Sequence, residues 1–261
     1  MNGVLSIALN GFREARRNRV TSVLFIFAFV MVFSTTVSVE FTVATFDRVM
    51  TDFGLGVIGL ISPALTLFLG TALIPREIER RTIFMVVARP VSRSSFLVGR
   101  YLGNVMTVEF LVLVMGGLFL AQLQFAGATT TFSSGIHRVH LVAIYGLFLE
   151  VVLLSAVCFL FASASSQYVS SLSVTCLYFI GHLSEDLYTF ASRSKVDLFR
   201  YAGKALYYVL PNFDRLDFKA RATYFDPTSN TELLSTTAYA VAYTVLVLLL
   251  ATQIFERRDF K

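Results

Sequence analysis

The chain has 261 residues, of which 56% are hydrophobic and 15% charged, and its formal net charge is +5. An average soluble domain carries about 25% charged residues, so this composition excludes an ordinary soluble fold. The basic surplus suits anionic lipid headgroups at an inner membrane face and requires no nucleic acid.

Residues 1–19 set Val4, Leu5, Ala8, Leu9, Phe12 and Ala15 at helical spacing and gather Arg13, Arg16, Arg17 and Arg19 towards the end. This pattern predicts a helix lying in the membrane interface, apolar side down. Residues 20–39 follow without a charge and rich in Phe, Val and Ile. A helix needs roughly 20 apolar residues to cross a hydrocarbon core of about 30 Å, so this stretch is a first span. It is longer than the apolar core of a signal peptide and no small-residue cleavage site follows, which predicts that it is retained. Residues 53–74, again uncharged, form a second span.

Residues 75–93 carry the densest charge cluster of the chain beside the apolar Ile78, Phe84 and Met85. Pro75 suits the first turn of a helix, where its missing N–H is not needed. Glu77 and Arg81 stand at i, i+4 for an ion pair, and Pro90 predicts a break near Arg89. The result is a short helix projecting from the membrane, with a surface mixed enough for a soluble partner to grip.

Residues 102–123 make a third span with a single charge, Glu109. The stretch 139–183 is too long for one crossing, and the polar cluster Ala162-Ser-Ala-Ser-Ser-Gln167 divides it into spans 139–161 and 168–183. Glu150 lies within the first of these. An ionised carboxylate at membrane depth is costly and faces protein or water, so Glu109 and Glu150 are candidates for a substrate path or for a hydrogen-bond network between helices. Cys158 and Cys176 fall inside spans as small apolar fillers, with no disulfide expected.

Residues 184–232 are too long for a plain turn. Leu198, Tyr201, Ala202, Ala205, Leu206 and Val209 share one helical face that Pro211 terminates, so an amphipathic helix resting on the outer surface is predicted, serving as a docking place for an outer-side partner or else as a gate or lid. A sixth span, 233–255, precedes the basic end Arg257-Arg-Asp-Phe260. Placing the N-terminus inside puts 13 of the 22 basic residues on the inner side, and the seven within 184–232 are matched by seven acids. The positive-inside rule then predicts a multi-pass protein of the inner (plasma) membrane with both termini cytoplasmic.

Gly70, Glu77, Glu79, Thr82, the run Arg89-Pro-Val-Ser-Arg93, Gly99 and Gly103, together with Leu210-Pro-Asn-Phe213 and the basic C-terminal end, resemble the ABC type-2 export permeases. The likeness covers nearly the whole chain and is nearest the subgroup of nitrous oxide reductase maturation. Arg81 departs from it, since many members have a small residue before the threonine. The resemblance implies a dimer, with a second copy of this or a related permease, bound to two copies of a separate ABC ATPase. It also implies coupling through the loop after the second span, here Glu77, Glu79, Arg81, Thr82, Phe84, Pro90 and Arg93.

No ATP-binding loop occurs: Tyr201-Ala-Gly-Lys-Ala205 lacks the upstream glycine and the Ser or Thr that must follow its lysine. No cofactor is therefore expected on this chain, and ATP belongs to the partner. Gly54-Leu-Gly-Val-Ile-Gly59 matches a dinucleotide pattern but opens an apolar span, where glycines serve helix packing. The expectation is an all-α integral membrane domain over 1–261, with six transmembrane helices, an N-terminal interfacial helix and a cytoplasmic coupling helix. A membrane-embedded enzyme acting on lipid or peptide would show a catalytic constellation, whereas His137, His140 and His182 are scattered. A non-transporting scaffold that recruits an ATPase shares every feature of a permease.

Overall fold

The computed structural model describes residues 2–18, 26–27, 29–30, 46–79, 92–129, 135–193 and 196–257, and among these no strand occurs. The helices are α1 (Asn2–Asn18), α2 (Phe46–Glu79), α3 (Arg93–Thr129), α4 (Arg138–Ala164), α5 (Gln167–His182), α6 (Ser184–Arg193), α7 (Asp197–Val209), α8 (Lys219–Thr223) and α9 (Asn230–Arg257), with a 3-10 turn at Asp214–Leu216. Among the described residues four helices are long and apolar enough to cross a membrane: α2 over Phe46–Pro75, α3 over Arg93–Ala126, and the whole of α4 and α9. They contain the predicted second, third, fourth and sixth spans. The fifth, 168–183, is the 16-residue α5, about 24 Å long at 1.5 Å per residue, short of a full hydrocarbon core. The first, 20–39, lies largely outside the described residues, with Ile26, Phe27, Phe29 and Val30 helical. The protein is an all-α membrane protein.

Local chemistry accounts for the helix boundaries. Ser92 sits just before α3, and its hydroxyl accepts the Ser95 backbone N–H at 3.2 Å, which caps one of the donors a helix start leaves unpaired. Ser165 and Ser166 adopt extended backbone between α4 and α5, so the polar cluster divides the long apolar stretch as predicted. The Ser170 hydroxyl then donates to the Phe161 carbonyl at 2.9 Å across the break.

Pro75 corrects one expectation. It does not open a new helix, because α2 runs without interruption to Glu79 and contains both Pro63 and Pro75. An interior proline removes the bond to the carbonyl four residues earlier, here Gly59 and Thr71, and membrane helices tolerate such losses. In the same turns Ser62 donates to the Ile58 carbonyl at 2.8 Å and Thr71 to the Leu67 carbonyl at 2.6 Å, bonds that supplement the ladder beside each proline.

Helix direction follows from the contacts. Thr51 near the start of α2 meets His140 at the start of α4, while Ile74 near the end of α2 shares a core with Phe96 and Leu97 of α3 and with Phe159 and Ala162 of α4. Tyr145 of α4 pairs with Thr237 of α9 at 2.8 Å, so those two helices run in the same direction. One end of the bundle, the near end, therefore gathers the α2–α3 connection, the α4–α5 break and the end of α9. The far end gathers the α3–α4 connection and everything from α6 to the start of α9. α4 is the central element, packed against α2, α3, α5 and α9.

α1 lies along the first half of α3. A methyl group on Gly103 would stand 3.0 Å from the Ala8 carbonyl oxygen, and one on Gly99 3.0 Å from the Ile7 side chain and 3.1 Å from the Val4 carbonyl oxygen. Phe12 and Phe110 meet edge to face at 5.7 Å. Two glycines four apart thus provide the groove that lets a second backbone approach.

At the far end α6 and α7 form a hairpin whose helices face each other through Ala191 and Gly203. The apolar residues of α7 divide between two surroundings. Leu198, Tyr201 and Val209 are 75%, 66% and 69% exposed, whereas Ala202 and Leu206 of the same predicted face, with Phe199, Gly203 and Tyr207, line an apolar cavity of about 330 Å³ shared with α5 and α6.

Overpacking costs about 1–3 kcal/mol, so Gly103→Leu should detach α1, measured as faster proteolysis of residues 2–18. Gly117→Ala, where no atom lies within 4 Å of the added carbon, should leave that rate unchanged.

Candidate functional site

Glu150 stands near the middle of α4, 1% exposed. Its Oε1 accepts a hydrogen bond from the Tyr178 hydroxyl at 2.8 Å and lies 3.7 Å from His182 Nε2. Oε2 is buried without a hydrogen-bond partner. Tyr178 and His182 are one turn apart on α5, with ring centroids 4.5 Å from each other. Lys219 and Asp217 complete the electrostatic surroundings of the carboxyl group, and their own charged ends pair at 3.1 Å. Sequence reasoning singled out Glu150 alone. The spacing of Tyr178 and His182 at i, i+4 was the available signal, and it needed the rotation of α5 to be read.

The second part of the site is a non-helical stretch that descends into the bundle. Between α7 and α8 the chain leaves helical geometry, yet Asn212, Phe213, Leu216 and Phe218 are buried. Such backbone is tolerated among membrane helices only where protein covers and bonds it. The Phe213 N–H donates to the Gly181 carbonyl at 3.2 Å, the Asn212 N–H to the Tyr239 hydroxyl at 2.8 Å, and the Arg215 N–H to Asn212 Oδ1 at 3.0 Å.

Glycines make room for this stretch. A methyl group on Gly181 would stand 2.5 Å from both the Pro211 carbonyl oxygen and the Phe213 ring, and one on Gly146 would collide with the Leu216 carbonyl oxygen and the Phe218 ring. The Phe213 ring stacks on His182 at 5.7 Å with 13° between planes and leans on Tyr178 at 5.4 Å. Tyr178, which bonds Glu150, and His182, which faces it, therefore also seat Phe213. Around them burial, Glu185 and Asp217 push the Asp214 carboxyl above the usual carboxylate range, against the opposing pull of His182.

Glu109 lies elsewhere. Both of its carboxylate oxygens are covered and without a hydrogen-bond partner, and neither glutamate belongs to the other's electrostatic surroundings. The structure does not bring the two together. His137 and His140 do meet, at the start of α4: His140 Nδ1 accepts the His137 N–H at 3.0 Å, which leaves the proton of the neutral ring on Nε2, facing Thr51 Oγ1 at 3.2 Å. Phe225, whose φ is 56°, packs edge-on against both rings. Among the described residues no three His, Cys, Asp or Glu converge as metal ligands.

At the near end the predicted coupling residues are placed in part. Glu77 and Glu79 belong to the last turn of α2. Arg81, Thr82, Phe84 and Pro90 lie outside the described residues. Arg93 opens α3, and its guanidinium donates to the Glu256 carbonyl at 3.1 Å, close to where Phe96 stacks on Phe255 at 6.3 Å. A cation at the carbonyl end of α9 answers the partial negative charge there. The residue at the exit of the α2–α3 connection thus holds the last helix.

Comparison with protein families gives one match, the ABC-2 family transporter protein model, over residues 12–182. No curated protein matches the chain.

Gly146→Ala and Gly181→Ala each push on the same buried stretch. Each should lower the thermal unfolding midpoint by the equivalent of about 1–3 kcal/mol, and the double variant should lose less than the sum, because the two sites share one structural response.

Proposed function

We propose that this chain, which belongs to the ABC-2 transporter family, is the permease of an ATP-driven exporter. Its place as a membrane subunit of an ABC transporter follows from the family. The finer reading is a dimer of this chain with a second copy or a related permease, bound to two copies of a separate ABC ATPase that holds the ATP. The protein sits in the inner (plasma) membrane with both termini cytoplasmic, nearest the nitrous oxide reductase maturation subgroup, and its substrate is left open.

What supports this reading is the near end. α2 continues beyond its apolar part and carries Glu77 and Glu79 on one unbroken helix. A soluble partner that pulls on residues 75–93 pulls on a rigid rod whose other end bears Thr51 against His140. The same partner also reaches α9 through Arg93, and α1 through the start of α3. A helix transmits force along its axis because its hydrogen bonds close every turn. Three elements thus converge where a nucleotide-driven closure would be applied.

The charge pattern gives the partner's chemistry. Acidic Glu77 and Glu79 beside Arg80 and Arg81 offer groups of both signs, which set register and discriminate against wrong partners.

Charge reversal at Glu77, Glu79 and Arg81, in a chain co-expressed with the ABC ATPases of its own genome, should reduce co-purification of the ATPase at least about tenfold, the equivalent of one lost charge-assisted bond. Undiminished co-purification would remove this segment as the joint.

A further inference from the structure

We propose that Glu150 is a positioning residue for a movable plug: it holds Tyr178 and His182 as the seat for Phe213, and the stretch from Pro211 to Lys219 leaves that seat when the far end of the pathway opens. The proposal deepens the transport reading and rests on it for the side of the membrane and for the source of movement.

Geometry links the carboxylate to the plug in two steps. Glu150 receives the Tyr178 hydroxyl at 2.8 Å and faces His182 Nε2 at 3.7 Å. Those two rings in turn bear on Phe213, whose N–H is bonded to Gly181 beside them. Removing the carboxylate takes the acceptor from the Tyr178 hydroxyl and the facing charge from His182 Nε2, while His182 Nδ1 keeps its contact with the Tyr178 carbonyl at 3.2 Å, so the surface that Phe213 rests on is loosened.

The plug is built to be released. Its regular structure is one 3-10 turn, Asp214–Leu216, whose Leu216 and Asp217 N–H bonds lie within the stretch and would travel with it, and its hydrogen bonds to the surrounding helices go to Gly181, Tyr239 and, from Arg215 at 3.2 Å, Ser235. It contacts α4, α5 and α9 at once, through Gly146, Gly181 and Tyr239. A shift of any of these helices therefore changes its seat. Before it comes the α6–α7 hairpin, where α7 has no buried residue and an apolar cavity lies beneath it, so the preceding chain can swing without breaking a packed core. Buried charged groups contribute little net stability when compared with apolar packing, and their best-attested use is to specify one arrangement over another. That is the role assigned to Glu150.

The test uses the full chain in sealed membrane vesicles, with Cys158→Ala and Cys176→Ala as background. Single reporter cysteines are placed at Leu216 in the plug, at Leu111 in the core of α3, and at exposed Tyr224, and a membrane-impermeant maleimide is applied. Adding Glu150→Met should raise labelling at Leu216→Cys about tenfold relative to Tyr224→Cys, the equivalent of one charge-assisted hydrogen bond, with Leu111→Cys unchanged. Glu150→Gln keeps an acceptor for Tyr178 and should stay near the parent rate. No increase in Glu150→Met, or an equal increase at Leu111→Cys, overturns the positioning role. In the complex with its ATPase, ATP should accelerate Leu216→Cys labelling in the parent, and a complex that hydrolyses ATP without acceleration overturns the movement. Labelling of Tyr224→Cys only from the cytoplasmic side would instead refute the orientation, a separate failure of the transport reading.

Discussion

Every backbone N–H and C=O placed in apolar surroundings must find its partner inside the protein, and this requirement shapes the whole chain. Most of the described residues meet it as helices, which close their own bonds. The exceptions are local. Pro63 and Pro75 remove two N–H donors from α2 without breaking it, and hydroxyls of Ser62, Thr66 and Thr71 add bonds to carbonyls of the same helix. The turn at Ser165 is spanned by Ser170. The stretch from Pro211 to Phe218 is the largest exception, and its donors go to Gly181, Tyr239 and Asn212.

The two ends of the bundle solve different problems with the same devices. At the near end a serine cap, an arginine on a carbonyl terminus and two glycines under α1 bind three elements into one rigid corner. At the far end glycines again admit backbone, but the guest is irregular chain and the ties are polar and sparse. α4 connects the two, since it packs against every other long helix and carries Glu150 at its middle. Force entering at one end has a continuous packed route to the other.

Spans were legible wherever absence of charge was itself the signal, because the cost of a buried charge is paid by any arrangement. The spans found by that rule lie inside α2, α3, α4 and α9, though α2 and α3 begin seven and nine residues before the predicted spans 53–74 and 102–123. It also located α5, predicted at 168–183 and observed at Gln167–His182, but that helix is shorter than a full crossing, and hydrophobicity does not report whether a short helix spans. Pro75 misled because the preference for a first turn competes with a helix already supported from its other side. The apolar face of α7 was recognised from its spacing, yet its division into residues that line the cavity, Ala202 and Leu206, and residues left exposed, Leu198, Tyr201 and Val209, depends on the partner helix, where Ala191 meets Gly203. Glu150 stood out by cost alone. Tyr178, His182 and Lys219 did not, and Phe213 was visible only as part of the Leu210-Pro-Asn-Phe213 motif, because their link to Glu150 arises from contacts across 28 to 69 positions of sequence.

α1 has a place in time as well as in space. It precedes α3 in the chain, and the groove that receives it, Gly99 and Gly103 of α3, is made only after α2. Until then its apolar side has only lipid to rest on, and its basic residues favour anionic headgroups. The corner at the near end is completed only when α3 arrives, so its assembly is ordered by the direction of translation.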